Sequence, residues 1–173
     1  MALMINFFEE ALTPGWVYPC SLADIQERLT QLPEQDLAGL WAVGLATATR
    51  KDCRVNGRYR FAEKPTIRLY SYAETLSYRL PPQMKPVDIE VGLMVERDFG
   101  MTVERKGGRY LCHWVADDLR KFTLEHVLLH EIGHHVHAGK RKEQGYNPRT
   151  YRHEEEQWAE SYALRHACRQ SRN

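Results

Sequence analysis

The sequence predicts an α+β fold, and three observations carry that prediction. Short stretches of alternating apolar residues fill the middle of the chain, helical periodicity fills both flanks, and turn residues rather than long linkers separate them. The order read from the residues is helix, small sheet, helix, loop, helix. It forms one domain over 1–173, with residues 1–20 as an N-terminal arm packed on the body.

Each element has a local reason. Ser21 is an N-cap with Asp24 three residues on, and Ile25, Leu29 and Leu32 follow at helical spacing until Pro33 stops the run. Leu40–Thr47 is expected as a strand. Asn56-Gly57 is a turn signal. In "TIRLYSYA", Ile67, Leu69 and Ser71 alternate with Arg68, Tyr70 and Tyr72, the pattern of a strand. "VDIEVGLMVERDFG" reads two ways. Ile89, Val91, Leu93 and Val95 alternate, while Pro86, Asp88, Glu90 and Gly100 suit a helix. "MTVERKGGRYLCHW" reads as a hairpin turning at Gly107-Gly108. Thr123 is expected to cap a helix over about Leu124 to Ala138 that ends at Gly139 as its C′ residue. A basic loop then leads to a last helix, about His153 to Arg169.

A chain of 173 residues can bury one real core. Apolar residues make up 43% and charged residues 27%, ordinary values for a globular protein. A formal net charge of +1 gives no argument for nucleic acid or an anionic membrane. Cys20, Cys53, Cys112 and Cys168 are scattered without a CxxC pair and are read as reduced thiols of a cytoplasmic protein. Glu9 and Glu10 interrupt the apolar start, which argues against a signal peptide, and no apolar run approaches the roughly 20 residues of a membrane span.

The chemistry concentrates in "LLHEIGHHVHAG", Leu128–Gly139. His130 and His134 are four apart, so on a helix they share a face with Cβ atoms about 5–6 Å apart. Both rings can then reach one Zn²⁺ ion at about 2.0–2.1 Å. Glu131, beside the first histidine, is a candidate general base acting on metal-bound water. Leu128, Ile132 and Val136 form the anchoring row, and Gly133 allows another element to come close. His126 is read as a core or surface histidine sharing the ligand row, His135 as exposed, and His137 as a neighbour of the site.

Two histidines leave a catalytic zinc short of a third protein ligand. A metzincin histidine is excluded, because Lys140 stands where that ligand is needed and His137 where the glycine is needed. His137 would strain the tetrahedron, and His153 is isolated. The last helix, "HEEEQWAESYALRHA", offers a better donor. Glu156, Ala159, Glu160 and Ala163 share a face, and the alanines let that face lie against Gly133. Glu156 can then be the third ligand, with Glu155 as its rival. Glu160, one turn on, can hold the other nitrogen of a zinc-bound ring. Trp158 and Tyr162 can pack into the core.

"HEIGH" followed after 22 residues by "EQWAESYA" resembles the gluzincin metallopeptidases, most of all the small ImmA/IrrE-like branch with its HExGH and E-x-x-A-[N/D]-x-[F/Y]-A motifs. The resemblance covers about residues 120–165. It implies a minimal zincin-like domain, in which a small mixed sheet packs on the HExxH helix and a C-terminal helix bears the glutamate. It also implies zinc held by His130, His134 and Glu156, Glu131 as the base, and Glu160 behind a ligand. Glu160 replaces the usual Asn or Asp, and "RKFTLEH" stands one turn earlier than the related lead-in. The implied activity is zinc-dependent peptide hydrolysis by an intracellular endopeptidase with a narrow protein substrate, such as a DNA-binding repressor. Such enzymes bind peptide by adding it to a sheet edge, for which "GRYLCHW" is the candidate.

Two alternatives stand beside this. A zincin-fold protein can keep zinc and only bind or regulate. A nucleic-acid-associated protease would use Lys140, Arg141, Lys142, Arg149, Arg152 and the basic tail, although such loops are ordinarily just solvated. Tyr146, Tyr151 and His153 are the candidates to steady an oxyanion.

Overall fold

Ser21 and Asp24 set the first helix. The computed structural model describes residues 4–48, 56–81, 85–86, 90, 92–143 and 152–167. In it Ser21 Oγ accepts from the Asp24 amide at 3.2 Å, and Asp24 Oδ2 accepts from the Ser21 amide at 2.8 Å, a complete capping box. In chain order the strands are β1 (Asn6–Glu9), β2 (Trp16–Val17), β3 (Ala42–Ala46), β4 (Gly57–Arg60), β5 (Thr66–Tyr70), β6 (Tyr72–Ala73), β7 (Ser77–Arg79), β8 (Thr102–Lys106) and β9 (Arg109–His113). The helices are α1 (Leu22–Thr30), α2 (Met94–Asp98), α3 (Ala116–Phe122), α4 (Leu128–Glu143) and α5 (Arg152–His166), with a 3-10 turn at Glu34–Leu37. The fold is α+β.

The main sheet is mixed and runs β1-β3-β5-β4, with β1, β3 and β5 parallel and β4 antiparallel at one edge. The N-terminal segment, expected as an arm, therefore supplies the opposite edge strand. β3 is buried on both faces, which suits a parallel interior strand. Val43 and Leu45, with Ile67 and Leu69 of β5, point into the core with α1 and the long C-terminal helices. On the other face Gly44 is required, because a Cβ there would stand 2.2 Å from Phe8 O and 2.6 Å from its ring.

A second, antiparallel sheet runs β7-β9-β8, and a short pair joins β2 to β6. The expected hairpin is β8–β9, with Gly107 and Gly108 at φ +58° and +75°. β9, which contains most of "GRYLCHW", is the middle strand of its sheet, so it offers no edge to a peptide. The ambiguous segment is helical at Met94–Asp98 and closes at Gly100 (φ +104°), whereas Ile89 and Val91 lie outside the described residues. Cys20 and Cys112 are buried free thiols, while Cys53 and Cys168 lie outside the described residues.

The histidine helix is longer than its sequence suggests. Thr123 does not cap it. Its backbone is helical (φ −63°, ψ −42°), and its hydroxyl donates to Leu119 O at 2.8 Å, the internal alternative to capping that threonine offers. α3 runs into α4 through a π turn, Thr123–Val127, in which the Leu128 amide donates to Thr123 O. A π turn holds one residue more than an α turn, so it rotates the rows on either side relative to each other. Gly139 does not end the helix either. It stays helical with nothing near its Cβ position, and α4 continues to Glu143.

Arg28 ties this run to α1 and α5. Only 5% exposed, it pairs with Glu125 of the π turn (Nε–Oε1 3.0 Å) and donates to His166 O at 2.6 Å, serving one of the carbonyls left unbonded at the end of α5. No helix among the described residues is long and apolar enough to cross a membrane.

Candidate metal centre

α4 and α5 meet where their residues are smallest. A Cβ on Gly133 would lie 2.7 Å from Ala159 Cα and 3.0 Å from Ala159 O, so the two backbones touch. Ala159 and Ala163 are buried at the seam. Tyr162 anchors α5 by donating to Asp36 Oδ2 at 2.8 Å.

This contact sets Glu156 opposite His130 and His134. His130 Nε2 lies 3.1 Å from His134 Nε2 and 3.2 Å from Glu156 Oε2, and His134 Nε2 lies 3.7 Å from Glu156 Oε1. A tetrahedral zinc with ligands at about 2.0–2.1 Å needs donor atoms about 3.3 Å apart. Spacings of 3.1, 3.2 and 3.7 Å, with Glu156 meeting the two rings through different oxygens, lie close to that value, and the donors are of the two kinds, imidazole nitrogen and carboxylate oxygen, that zinc takes. Glu156 is 57% exposed, so the group opens to solvent on that side.

Glu160 stands behind His130. Its Oε2 lies 3.4 Å from His130 Nδ1, a buried atom with no better partner, and 3.7 Å from His126 Nε2. A proton on Nδ1 directed at Glu160 leaves the Nε2 lone pair facing the centre. His126, His130 and Glu160 form a second cluster of metal-ligating groups that shares His130 with the first. The electrostatics separate the two rings. Burial and the neighbouring His130 push His134 down to about 4, so it is neutral near pH 7. Burial also opposes a charge on His130, yet Glu160, Glu131 and Glu156 together outweigh it and raise its pKa. Three carboxylates thus favour positive charge at this point.

Glu131 faces the other way, towards β4. It is 7% exposed, and burial pushes its carboxyl up to about 7 against the opposing pull of His130 and the Tyr59 amide. The Tyr59 N–H donates to Glu131 Oε2 at 2.5 Å. Gly57 makes this approach possible: a Cβ there would stand 2.7 Å from Val127 Cγ1 and 3.1 Å from Glu131 Cγ. Asn56-Gly57, expected as a turn, is therefore a point of contact between strand and helix.

His135 is buried rather than exposed, at 7%. Ala38 O can only accept, so Nε2 carries the proton that meets it at 3.0 Å, and Nδ1 accepts from the Tyr59 hydroxyl at 3.3 Å. Its neutral ring pins β4 and the 3-10 turn to α4. His137 packs on Trp158 and accepts from Arg141 Nε at 3.2 Å. His153 meets Gln157 at 3.0 Å on the surface, and Tyr146 and Tyr151 lie outside the described residues. Glu155 is half-buried and acts electrostatically on His137, outside the triangle of Glu156. Trp158 is only half-buried, with Lys140 Nζ over its ring at 4.6 Å.

No local pattern in the sequence marks Gly57, Tyr59 or Ala38 as a functional position. Tyr59 acts here through its amide as well as its hydroxyl, and only the glycine hinted at a close approach. Compared with protein-family models, with curated proteins and with solved structures, the chain matches none.

Proposed function

We propose that this chain is a zinc-dependent peptidase of the gluzincin type, built on a minimal zincin-like domain. The observation that carries the reading is the triangle of His130, His134 and Glu156, with Glu131 next to it on the same helix. When bound, zinc supplies a Lewis acid that polarises a carbonyl and lowers the pKa of a bound water to about 7. Glu131, which the Tyr59 amide holds towards β4, would have to turn from that amide to the centre to remove the proton from the attacking water. The water oxygen bonds to the scissile carbonyl carbon, the C–N bond breaks, and Glu131 returns the proton to the leaving amine. A carboxyl raised to about 7 is suited to both transfers near neutral pH. Glu160 holds His130 in one tautomer, and the Tyr59 amide holds Glu131 at the sheet edge.

The same Tyr59 contact favours a second reading, a zinc-bearing protein that binds and does not cleave. There Glu131 serves only to cap the open edge of β4. Elemental analysis and one variant separate these readings. The purified chain is expected to hold one zinc, lost in His134→Ala and weakened in Glu156→Ala. Glu131→Gln is expected to keep its zinc and lose cleavage of a substrate protein. Wild-type chain that stays metal-free after refolding with zinc rules out both readings. Glu131→Gln with zinc and full biological effect leaves the binding protein.

A further inference from the structure

The antiparallel sheet β7-β9-β8 carries polar chemistry that the candidate metal centre does not use. Tyr78, Cys112 and Val103 turn into the core, so strand alternation puts Ser77, His113 and Glu104 together on the outer face, one from each strand. Ser77 is directly opposite His113, and its Oγ lies 2.7 Å from His113 Nδ1. His113 Nε2 lies 3.2 Å from Glu104 Oε1. A hydroxyl, a base and an orienting carboxylate at such distances have the geometry of an activated nucleophile, whatever their order along the chain. The His113 and Glu104 side chains are 40% and 54% exposed, so a small molecule can reach the group.

A second observation points to the same place. Leu76, next before Ser77, is the one non-glycine residue with positive φ (+50°) among the described residues. That left-handed conformation crowds a Cβ against the following carbonyl and persists only where the surroundings enforce it. Here the Leu76 side chain packs on the core, its amide donates to Ala73 O at 2.8 Å, and its carbonyl accepts from the Trp114 amide at 3.0 Å. The turn so made delivers Ser77 onto the sheet opposite His113. The Leu80 amide donates to Tyr110 O at 3.0 Å, so even positions of this edge strand turn their backbone groups to β9 and odd positions turn theirs to the open edge. The Ser77 N–H therefore stands at that edge beside its own hydroxyl, where it can donate to an oxyanion.

We propose that Ser77, His113 and Glu104 form a second hydrolytic site, independent of the metal centre, that cleaves small acyl esters with a good leaving group. Glu104 can only accept, so the proton of a neutral His113 ring sits on Nε2 and Nδ1 accepts from the Ser77 hydroxyl. In a protonated ring Nδ1–H donates instead, and the hydroxyl turns to Thr75 O, 2.9 Å away. The neutral ring is the reactive form. Ser77 Oγ bonds to the acyl carbon as its proton passes to Nδ1, the bond to the leaving oxygen breaks, and that oxygen takes the proton. Water then attacks the acyl-serine and gives a proton to Nδ1, which returns it to Ser77 Oγ as the acid leaves. Glu104 holds the ring and offsets the charge it carries between these transfers. An open sheet face gives a leaving group little help, which suits an activated ester and not an amide. Such a network can also serve merely to tie three strands together, and that alternative is an outcome of the test.

The test treats the purified full chain with a fluorophosphonate, which bonds through phosphorus to an activated serine oxygen and loses fluoride. Peptide mass spectrometry is expected to place the adduct on Ser77. Turnover of p-nitrophenyl butyrate is followed at about pH 8, where an imidazole is ordinarily neutral, with and without a chelator. Ser77→Ala should lose both adduct and turnover. A positioned base contributes about 10²–10⁴-fold, so His113→Gln should slow both by about a hundred-fold. Glu104→Gln should lower kcat about ten-fold or more and leave KM unchanged, a split that a merely structural loss would not give. All three side chains lie on the outer face, so circular dichroism of the variants should match wild type. Chelation should change neither readout. An unlabelled wild type, an adduct on another residue, turnover that survives Ser77→Ala, or turnover that a chelator removes overturns the proposal. The first of these, with a loss of stability in the variants, leaves the network a strut between strands, and the last assigns ester cleavage to the metal centre.

Discussion

The two faces of α4 carry the same kinds of residue and do different things. One presents His130 and His134 to α5, and the other presents Glu131 and His135 to β4. On the strand face each polar group meets its complement: a carboxylate with an amide, a ring N–H with a carbonyl, and a ring lone pair with a hydroxyl. On the α5 face two ring nitrogens and two carboxylate oxygens crowd together with contacts of 3.1, 3.2 and 3.7 Å, groups that one shared cation could serve jointly. A buried polar group ordinarily finds its partner. On the α5 face the atom left without a hydrogen bond is His130 Nδ1, which looks towards Glu160. Histidine number is therefore uninformative here, and the chemical type of each histidine's partner separates strut from ligand.

On the proposed reading, removing the cation is the largest expected effect. A ligand present at about 1,000 times its Kd stabilises the folded chain by about 4 kcal/mol. Chelation should therefore lower the thermal midpoint of wild type by many degrees and leave His134→Ala unmoved. In urea titrations the metal-free forms of these two proteins should differ only by the packing lost with the largely buried His134 ring, about 1–2 kcal/mol. Equal responses of both proteins to the chelator would erase the distinction between the faces.

Next in size is the seam that brings the metal face together. Gly133→Val puts branched carbons where Ala159 backbone stands at 2.7 Å, and backbone cannot give way as a side-chain tip can. Overpacking of this kind costs about 1–3 kcal/mol. Helix α5 should be displaced and zinc lost together with stability, by elemental analysis and urea denaturation. Gly139→Ala is the control. Nothing lies near its Cβ, and alanine in a helix gains about 1 kcal/mol over glycine.

Local signals in the sequence reached this seam but not the strand face. The Ser21–Asp24 box and the Gly107-Gly108 hairpin need only three or four consecutive residues, and both are present. The small face of α5 could be matched to Gly133 because each lies on one helix with a fixed period. The partners of His135, by contrast, come from Ala38 and Tyr59, 97 and 76 residues away, and one of them is a backbone carbonyl that any residue type supplies. No pattern within α4 encodes them. The π turn is hidden in the sequence for a similar reason. Thr123 looks like a cap, and only the apolar residues on both sides of it, buried together in the core, keep the helix running through.

The strand face should respond in the opposite sense to chelation. His135→Ala leaves the Tyr59 hydroxyl and the Ala38 carbonyl without their partner and opens a cavity, a loss of about 2 kcal/mol. Tyr59→Phe removes one hydroxyl and should cost about 1 kcal/mol. Both should keep a full complement of zinc. Loss of zinc in His135→Ala, at a stability where the chain is still folded, would make His135 part of the centre after all.

Acid sensitivity gives the smallest effect and separates loss of metal from loss of fold. Asp24 belongs to neither face. The Arg120 guanidinium holds its carboxyl well below the ordinary carboxylate range, with help from Ser21 and against the opposing effect of burial. A depressed folded-state pKa means that the pair stabilises the chain above the unfolded value, about 3.9, and that this contribution disappears as pH falls through the lower folded value. Arg120 is half-exposed and solvent screens the pair, so the contribution is less than about 1 kcal/mol. In the metal-free chain, Asp24→Asn should therefore be slightly less stable than wild type at pH 6, and the gap should close below about pH 4. Protons compete with metal for His130, whose pKa is raised, at pH values above that window. A metal-bearing chain should accordingly lose its chelator-sensitive stability first and the Asp24 contribution second. A single step at one pH in both proteins would mean that the metal face and the rest of the fold do not respond separately.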